Sequence, residues 1–476
     1  MASPPCPHGI EETETTPLLR TRSTTSEPVS SWGREAKIMA LWSAPLMLTQ
    51  LLQRSITFAS VFAVGRIGKV ELGAVSVATL TTSMIGNTAI QGLANGLDTL
   101  TAQAYGSGQR HLVGLHTQRM VCFLLPCSIP LMVMWWNAEQ ALGYILPDHR
   151  TAELAGEYLR VMILRVPAFV LFECGKRFFQ AQGIFYASTH VLVATAPLNA
   201  LLMWLLVWHL GWGFIGAPVA IVITENLMAL LLLLYAWLID GSQCWGGFDR
   251  KALTNWGPMI RFAVPSMIMQ CAEFAAEEAI TIGTAQFGTS QLAAQSALVT
   301  IAQMIYIVPL GASTAASLRV ANWIGAESVD GARIAARVAV QLGLALSLLI
   351  AVLLVSFRLY IPHLITEDAE VSDMLLRVMP IFVAFQLVDT MTSLSHGLLR
   401  GLGWQSVGGY MNLFGYYVVG LPISFAVAFG LGWQIYGMWV GLTIGLVTVC
   451  ATEFWWIYRN DWNGAVSKAA LRNKSS

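Results

Sequence analysis

The sequence predicts an all-α polytopic membrane protein of twelve transmembrane helices, arranged as two six-helix lobes related by a parallel pseudo-two-fold repeat. Composition is the first reason: 55% of the 476 residues are hydrophobic and 11% charged, and the mean hydropathy of +0.60 lies far from the balance of soluble domains. The second is a series of twelve apolar runs, each long enough at about 1.5 Å per residue to cross roughly 30 Å of hydrocarbon. The third is that marker residues of the first six runs recur in the second six after about 220 residues, which gives both halves one orientation in the bilayer. Lys plus Arg and Asp plus Glu number 27 each. Net charge therefore points to neither nucleic acid nor an acidic partner, and only its placement is informative.

Taken in order, residues 1–37 are rich in Ser, Thr, Pro and Glu and too poor in apolar residues to fold alone, so they read as a disordered cytosolic tail without a cleavable signal peptide. Within it, Glu14-Thr-Thr-Pro-Leu18-Leu19 resembles an acidic dileucine sorting signal, a receptor-read address. The apolar runs follow at 40–64, 72–98, 118–137, 157–174, 188–210, 214–239, 260–286, 291–317, 334–357, 373–396, 408–430 and 434–457. An even number of spans puts both termini on one side, and the Lys and Arg bias says which. Arg34, Lys37, Arg110, Arg119, Lys176, Arg177, Arg250, Lys251, Arg319, Arg333, Arg400, Arg459, Lys468, Arg472 and Lys474 fall on that side, against Arg66, Lys69, Arg150 and Arg358 on the other. Both termini are expected in the cytosol. The expected divisions are the tail 1–37, an N-lobe over 38–239, a cytosolic linker at 240–257, a C-lobe over 258–457 and a cytosolic tail at 458–476.

The repeat is carried by polar, Gly, Pro and Trp positions. Pro45, Gln50 and Gln53 fall on Pro265, Gln270 and Glu273, and Leu72, Ala74 and Ser76 on Leu292, Ala294 and Ser296. After a one-residue gap Gly92 and Gly106 match Gly311 and Gly325; Gly183 matches Gly403, and Leu210-Gly-Trp matches Leu431-Gly-Trp. With six spans between equivalents, the pseudo-two-fold runs along the membrane normal and a central cavity is expected between the lobes.

Chemistry concentrates in the stretch Pro265 to Phe287, which lacks Lys and Arg yet carries Glu273, Glu277 and Glu278 near its middle. An ionised acid at the bilayer centre costs on the order of 2.5–3.5 kcal/mol on insertion scales, so such residues face a water-filled cavity or a partner. Carboxylates there can take up and release a proton or hold a cation; the alternative is a helix-interface acid satisfied by hydroxyls and backbone. At about 100° per residue Glu273 and Glu277 share a face while Glu278 lies roughly 140° from Glu273, so one cavity is not expected to receive all three. The equivalent of Glu273 in the first lobe is Gln53, and core acids are expected in the C-lobe.

Gln270 and Asn412 sit within spans and read as cavity donors. Asp98 reads as a structural acid pairing with a nearby Arg or Lys, and Glu173, Glu225 and Glu453 have no support from the repeat. Tyr306, Phe274, Met267, Met269, Tyr416 and Tyr417 read mostly as packing, with a minority offering a planar cation an aromatic surface. Pro45 and Pro265 read as span ends, and Pro167, Pro309 and Pro422 as candidate hinges. The seven cysteines form no C-x-x-C pair, and His209 and His396 are lone imidazoles, so neither a metal site nor another bound cofactor is expected.

The chain from Ile38 to Tyr458 resembles the multidrug and toxic compound extrusion transporters, particularly their eukaryotic branch. The resemblance rests on Gly96-Leu-Asp98-Thr-Leu-Thr-Ala-Gln103-Ala-Tyr-Gly106, Cys271-Ala-Glu273 with Glu278, Ala294-Gln-Ser296, Val308-Pro309, Arg319-Val-Ala-Asn322 with Gly325, Asp389 before Leu399-Arg400-Gly401, and Gly415-Tyr-Tyr-Val-Val-Gly-Leu-Pro422. It implies two bundles around a cleft, alternating access, and export of organic, often cationic or amphipathic, compounds against protons or sodium. It also implies that Glu273, Glu278 and Asp389 bind substrate and cation. Animal members commonly carry an acid where this chain has Thr300, and Trp and Tyr where it has Phe274 and Glu277.

These observations read as a secondary antiporter, not an enzyme, exporting a small organic compound against protons, with Glu273, Glu277, Glu278, Asp389, Gln270, Gln53, Tyr306 and Asn412 as the substrate and cation site. Sodium coupling and a lipid-linked oligosaccharide flippase are the alternatives within the class, the latter favoured by a basic cavity. A polytopic membrane enzyme is the alternative outside it, but the loops lack a catalytic constellation, and no P-loop serves ATP-driven pumping. A monomer in a vacuolar, lysosomal or plasma membrane is expected.

Overall fold

The computed structural model describes residues 31–145, 148–366 and 368–475; the dileucine-like stretch Glu14 to Leu19 lies outside them. Twelve long helical segments follow one another: α1 (Trp32–Gly65), α2 (69–106), α3 (Arg110–Trp136), α4 (149–181), α5 (Tyr186–His209), α6 (Gly213–Leu238), α7 (Gly257–Ala285), α8 (Thr289–Gly325), α9 (Val329–Phe357), α10 (Ala369–Leu402), α11 (Gln405–Gly430) and α12 (Gln434–Arg459). A further helix, α13 (Trp462–Ser475), ends the described chain.

Eight of the twelve are long and apolar enough to cross a membrane by composition alone. The remaining four, α1, α2, α4 and α7, carry Gln53 and Arg54, Asn95 and Asp98, Glu173 to Arg177, and Glu273 to Glu278. Those polar residues lower their hydropathy, and a helix polar in mid-membrane must turn that face inward. All four of these less apolar helices contribute to the cleft lining, which α6, α8 and α10 of the apolar eight share.

Each lobe has its own core, one built around Phe172, Tyr158 and Trp135, the other around Phe382, Trp439 and Tyr416. The lobes meet at a shared apolar cluster of Leu46, Ala102, Phe185, Ala315, Leu318 and Ala321. There the repeat appears as contact. Gly106 of α2 packs on the Asn322 backbone of α8, and Gly325 of α8 packs on the Gln103 backbone of α2, each partner lying three residues before the other glycine. Gly92 meets Met267, with a Cβ there only 2.7 Å from its Cα, and the matched Gly311 meets Met47. Such reciprocal contacts require a pseudo-two-fold axis between α2 and α8. Gly183 and Gly403, also matched, end α4 and α10 with φ of +79° and +77°, a left-handed cap that glycine adopts without Cβ strain.

The seal is polar as well. Thr99 Oγ1 donates to Arg400 O at 2.6 Å and Gln103 Nε2 to Gly401 O at 3.0 Å. Arg319 meets Glu35 bidentately at 2.5 and 2.7 Å, both side chains buried.

Four readings of the sequence need correction here. Helix begins at Trp32, not after Lys37, because Glu35 is wanted by Arg319. Residues 458–476 are not a plain tail: α13 packs back, Trp462 Nε1 donating to Ile457 O at 2.9 Å and Arg472 donating to Gln103 Oε1. Pro45 and Pro265 lie inside α1 and α7, not at their ends. Several cations of the positive-inside series are buried: Arg119 gives its Nε to Lys251 O in the linker, and Lys176, Arg177, Arg319 and Arg400 point into the protein.

Candidate functional site

Between the lobes lies a cleft of about 340 Å³. Its C-lobe wall is α7. The packed stripe of that helix is narrow, following Met259, Phe262, Ser266, Met269, Ala272, Ala276 and Ile280 at helical spacing. Off this stripe, Gln270, Glu273, Phe274, Glu277 and Glu278 all line the cleft. The sequence reading that one cavity cannot receive all three glutamates is therefore wrong: the opening is wide enough to span the arc between them.

Tyr306 of α8 and His396 and Arg400 of α10 complete this wall. Asp389, also on α10, is buried and does not line the cleft, but it stands within electrostatic reach of Glu273 and His396. Asn412 is not a cavity donor either. It is fully buried, its Nδ2 donates to Met269 O at 3.1 Å, and its Oδ1 lies 3.2 Å from His396 Nε2, so it ties α11 to α7 and orients the imidazole. Glu453 Oε1 stands 3.3 Å from the same nitrogen, and Ser395 Oγ donates to Glu453 Oε2 at 2.6 Å. With two oxygen acceptors facing it, His396 Nε2 carries the hydrogen.

Among the described residues, Glu273, Glu277, Glu278 and Asp389 form no ion pair; the close acid–base contacts lie elsewhere. The N-lobe wall is the opposite case. Glu173 is fully buried between Lys176 Nζ at 2.9 Å and Arg177 Nη1 at 2.6 Å. Arg177 Nε lies 3.4 Å from Asp98, and Arg177 Nη2 donates to Asn95 Oδ1. Gln53 joins from α1, donating to Glu173 at 2.9 Å and accepting from Lys176 at 3.3 Å. A second pair, Arg165 with Glu225 at 2.8 Å, sits nearby. Asn95 Nδ2 crosses to Gln270 Oε1 at 2.9 Å and links the walls.

The sequence reading concentrates core acids in the C-lobe, but the N-lobe holds Asp98, Glu173 and Glu225 as well, Asp98 paired with Arg177 as expected of a structural acid, and the cleft is not simply acidic. The missed signal was Glu173-x-x-Lys176-Arg177, whose i,i+3 and i,i+4 spacing in an apolar run is that of a helix-internal ion pair. His396 reads in the sequence as a lone imidazole, because its partners come from α11 and α12 and have no local signature. Among the described residues no group of His, Cys, Asp and Glu is arranged to hold a metal ion.

Two six-helix lobes sealed at one end around a cleft with unpaired carboxylates in mid-span define a polytopic membrane transporter. A family model described as MatE matches residues 45–205 and 265–426, one match in each lobe. The chain belongs to this family, the multidrug and toxin extrusion transporters. It is 37% identical over 464 residues to an uncharacterized transporter of Schizosaccharomyces pombe, covering 97% of this chain and 86% of that one. It is 32% identical over 454 residues to Multidrug and toxin extrusion protein 1 of Homo sapiens, covering 95% and 80%. The crystal structure of the eukaryotic MATE transporter AtDTX14 superposes with a TM-score of 0.88 at 26% identity, covering 93% of this chain and 99% of that one. A MOP superfamily transporter from Pyrococcus furiosus shares the fold, with a TM-score of 0.81 at 17% identity over 92% and 97% of the two chains. The protein is thus an integral multi-pass membrane transporter of small organic compounds and not an enzyme.

Proposed function

We propose that the chain exports cationic or amphipathic organic compounds in exchange for protons, with Glu273 and Asp389 as the proton-exchanging pair and Glu277 and Glu278 as further anionic wall. One observation carries this reading: the cleft-facing acids of the N-lobe are each paired with a cation, whereas among the described residues Glu273, Glu277, Glu278 and Asp389 have none within ion-pair distance. An unpaired carboxylate in a membrane cleft is satisfied by a proton or by an organic cation, and the two ligands compete. Proton entry neutralises Glu273 and expels the substrate; proton release restores its charge. Transport follows because the protonated and substrate-bound forms favour different lobe arrangements.

The setting of Glu273 favours protons over sodium. His396, a proton-exchanging group, and the Arg400 guanidinium stand within its electrostatic reach, and neither ligates an alkali ion. Phe274 and Tyr306 supply apolar and aromatic surface for a planar cation. The flippase alternative has less support because Lys176, Arg177 and Arg165 are paired with Glu173, Asp98 and Glu225, which leaves Arg54 and Arg400 as the other cleft-lining cations, alongside Glu273, Glu277 and Glu278. With the positive-inside orientation, the end sealed by Gly106 and Gly325 is cytosolic and the cleft faces outside or lumen. A monomer in a vacuolar, lysosomal or plasma membrane completes the proposal.

The test is uptake of a cationic dye by proteoliposomes under an imposed pH gradient, with and without sodium. Uptake that follows the pH gradient in sodium-free buffer is the expected result. Uptake that requires sodium and ignores the pH gradient overturns proton coupling.

A further inference from the structure

A second cavity, of about 230 Å³, opens at the sealed end of the C-lobe between α9, α10, α12 and the start of α13. Arg333 and Arg337, one turn apart on α9, both line it and both are exposed. The remaining lining includes exposed Tyr458 and buried Leu398, Ile457 and Trp462 alongside Val340, and no carboxylate. Among the described residues neither arginine forms an ion pair, although Asp330 precedes Arg333 by one turn on the same helix. Asp461, beside the rim, is occupied as the cap of α13, accepting from Asn463 N at 2.9 Å and Gly464 N at 3.1 Å. Two guanidiniums and the Tyr458 hydroxyl thus face a space that contains no counter-charge.

The surroundings select among anions. Exposed Leu344, Leu348 and Val352 continue from Val340 along one strip of α9, so the cavity leads directly onto a lipid-facing apolar surface. Tyr458 and Trp455 are exposed on the neighbouring edge of α12, the placement of interfacial aromatic anchors. A ligand with a phosphate head and an acyl tail satisfies both halves of the site, whereas a free anion uses only the head. We infer that this cavity binds the phosphorylated headgroup of an anionic lipid in the leaflet at the sealed end, gripped by Arg333 and Arg337 with its acyl chains along α9. Bidentate guanidinium–phosphate geometry explains two arginines at one-turn spacing. The site lies outside the substrate cleft and is independent of the coupling ion.

The experiment is native mass spectrometry of the purified full-length chain, supplemented with phosphatidylinositol phosphate or phosphatidylcholine, compared with R333Q/R337Q. Wild type should retain phosphatidylinositol phosphate selectively. The double variant should lose it roughly 25-fold, two contacts of about fivefold each. Arg358→Gln at the opposite membrane face should retain it as wild type does. Should the double variant fail to fold, R333K/R337K keeps the charge but not the bidentate grip and should show intermediate retention. Equal retention by wild type and R333Q/R337Q overturns the site, as does equal retention of the two lipids. Displacement of bound lipid by inorganic phosphate at equal concentration overturns the lipid assignment in favour of a free-anion site.

Discussion

Glu273→Gln separates a proton-exchanging acid from a structural one. The side chain lines the cleft and makes no ion pair among the described residues, so replacing one oxygen by an amide removes no ion pair described there, and expression and folding should be preserved. An organic cation about 5 Å from Glu273 gains roughly 3 kcal/mol at an effective dielectric near 20. Because Glu277, Glu278 and Asp389 remain, the net loss should be about 2 kcal/mol, a rise in KM of roughly 30-fold for a monovalent cationic dye. The coupling effect is sharper. One pH unit across the membrane supplies about 1.4 kcal/mol per proton exchanged, roughly tenfold accumulation, and an amide cannot exchange that proton. Accumulation by proteoliposomes, plotted against imposed pH difference, should rise for wild type and stay flat for the variant. A variant that accumulates dye with the wild-type slope removes Glu273 from the coupling role and moves it to Glu277, Glu278 or Asp389.

Asp389→Asn should also weaken pH-driven uptake with the protein still in the membrane, since Asp389 shares the electrostatic surroundings of Glu273 and His396; wild-type efflux would make it a structural acid. Glu173→Gln should instead damage folding, costing about 3–5 kcal/mol because Lys176 and Arg177 lose their buried partner, and thermal unfolding in detergent would record it. Gly106→Leu should prise α2 from the Asn322 backbone and open the sealed end, increasing cysteine-reagent access from that side; unchanged access would refute the seal. Cys244 in the linker is buried against α3, and burial pushes its thiol up to about 11, with Arg110 opposing. Its thiolate is therefore scarce below that pH, and a polar maleimide at neutral pH should leave it unlabelled until the protein is denatured.

The class, the twelve helices and the repeat are legible in the sequence. Those follow from hydropathy and from glycines such as Gly106 and Gly325, where the chain pattern records how closely backbones must approach. It also marked Glu273, Glu277 and Glu278, because a carboxylate in mid-membrane is costly wherever it points. What it left undecided is which polar groups answer one another. Gln53 meets Glu173 across the N-lobe, His396 is held by Asn412 and Glu453 from two other helices, and Glu35 reaches Arg319 from the far end of the chain. Hydrogen bonds and ion pairs are satisfied at distances near 3 Å between helices whose separation in sequence carries no trace of that distance. The width of the cleft was equally hidden: helical phase fixes the angle between Glu273 and Glu278, but only the packing of α7 along one narrow stripe decided that both would face it.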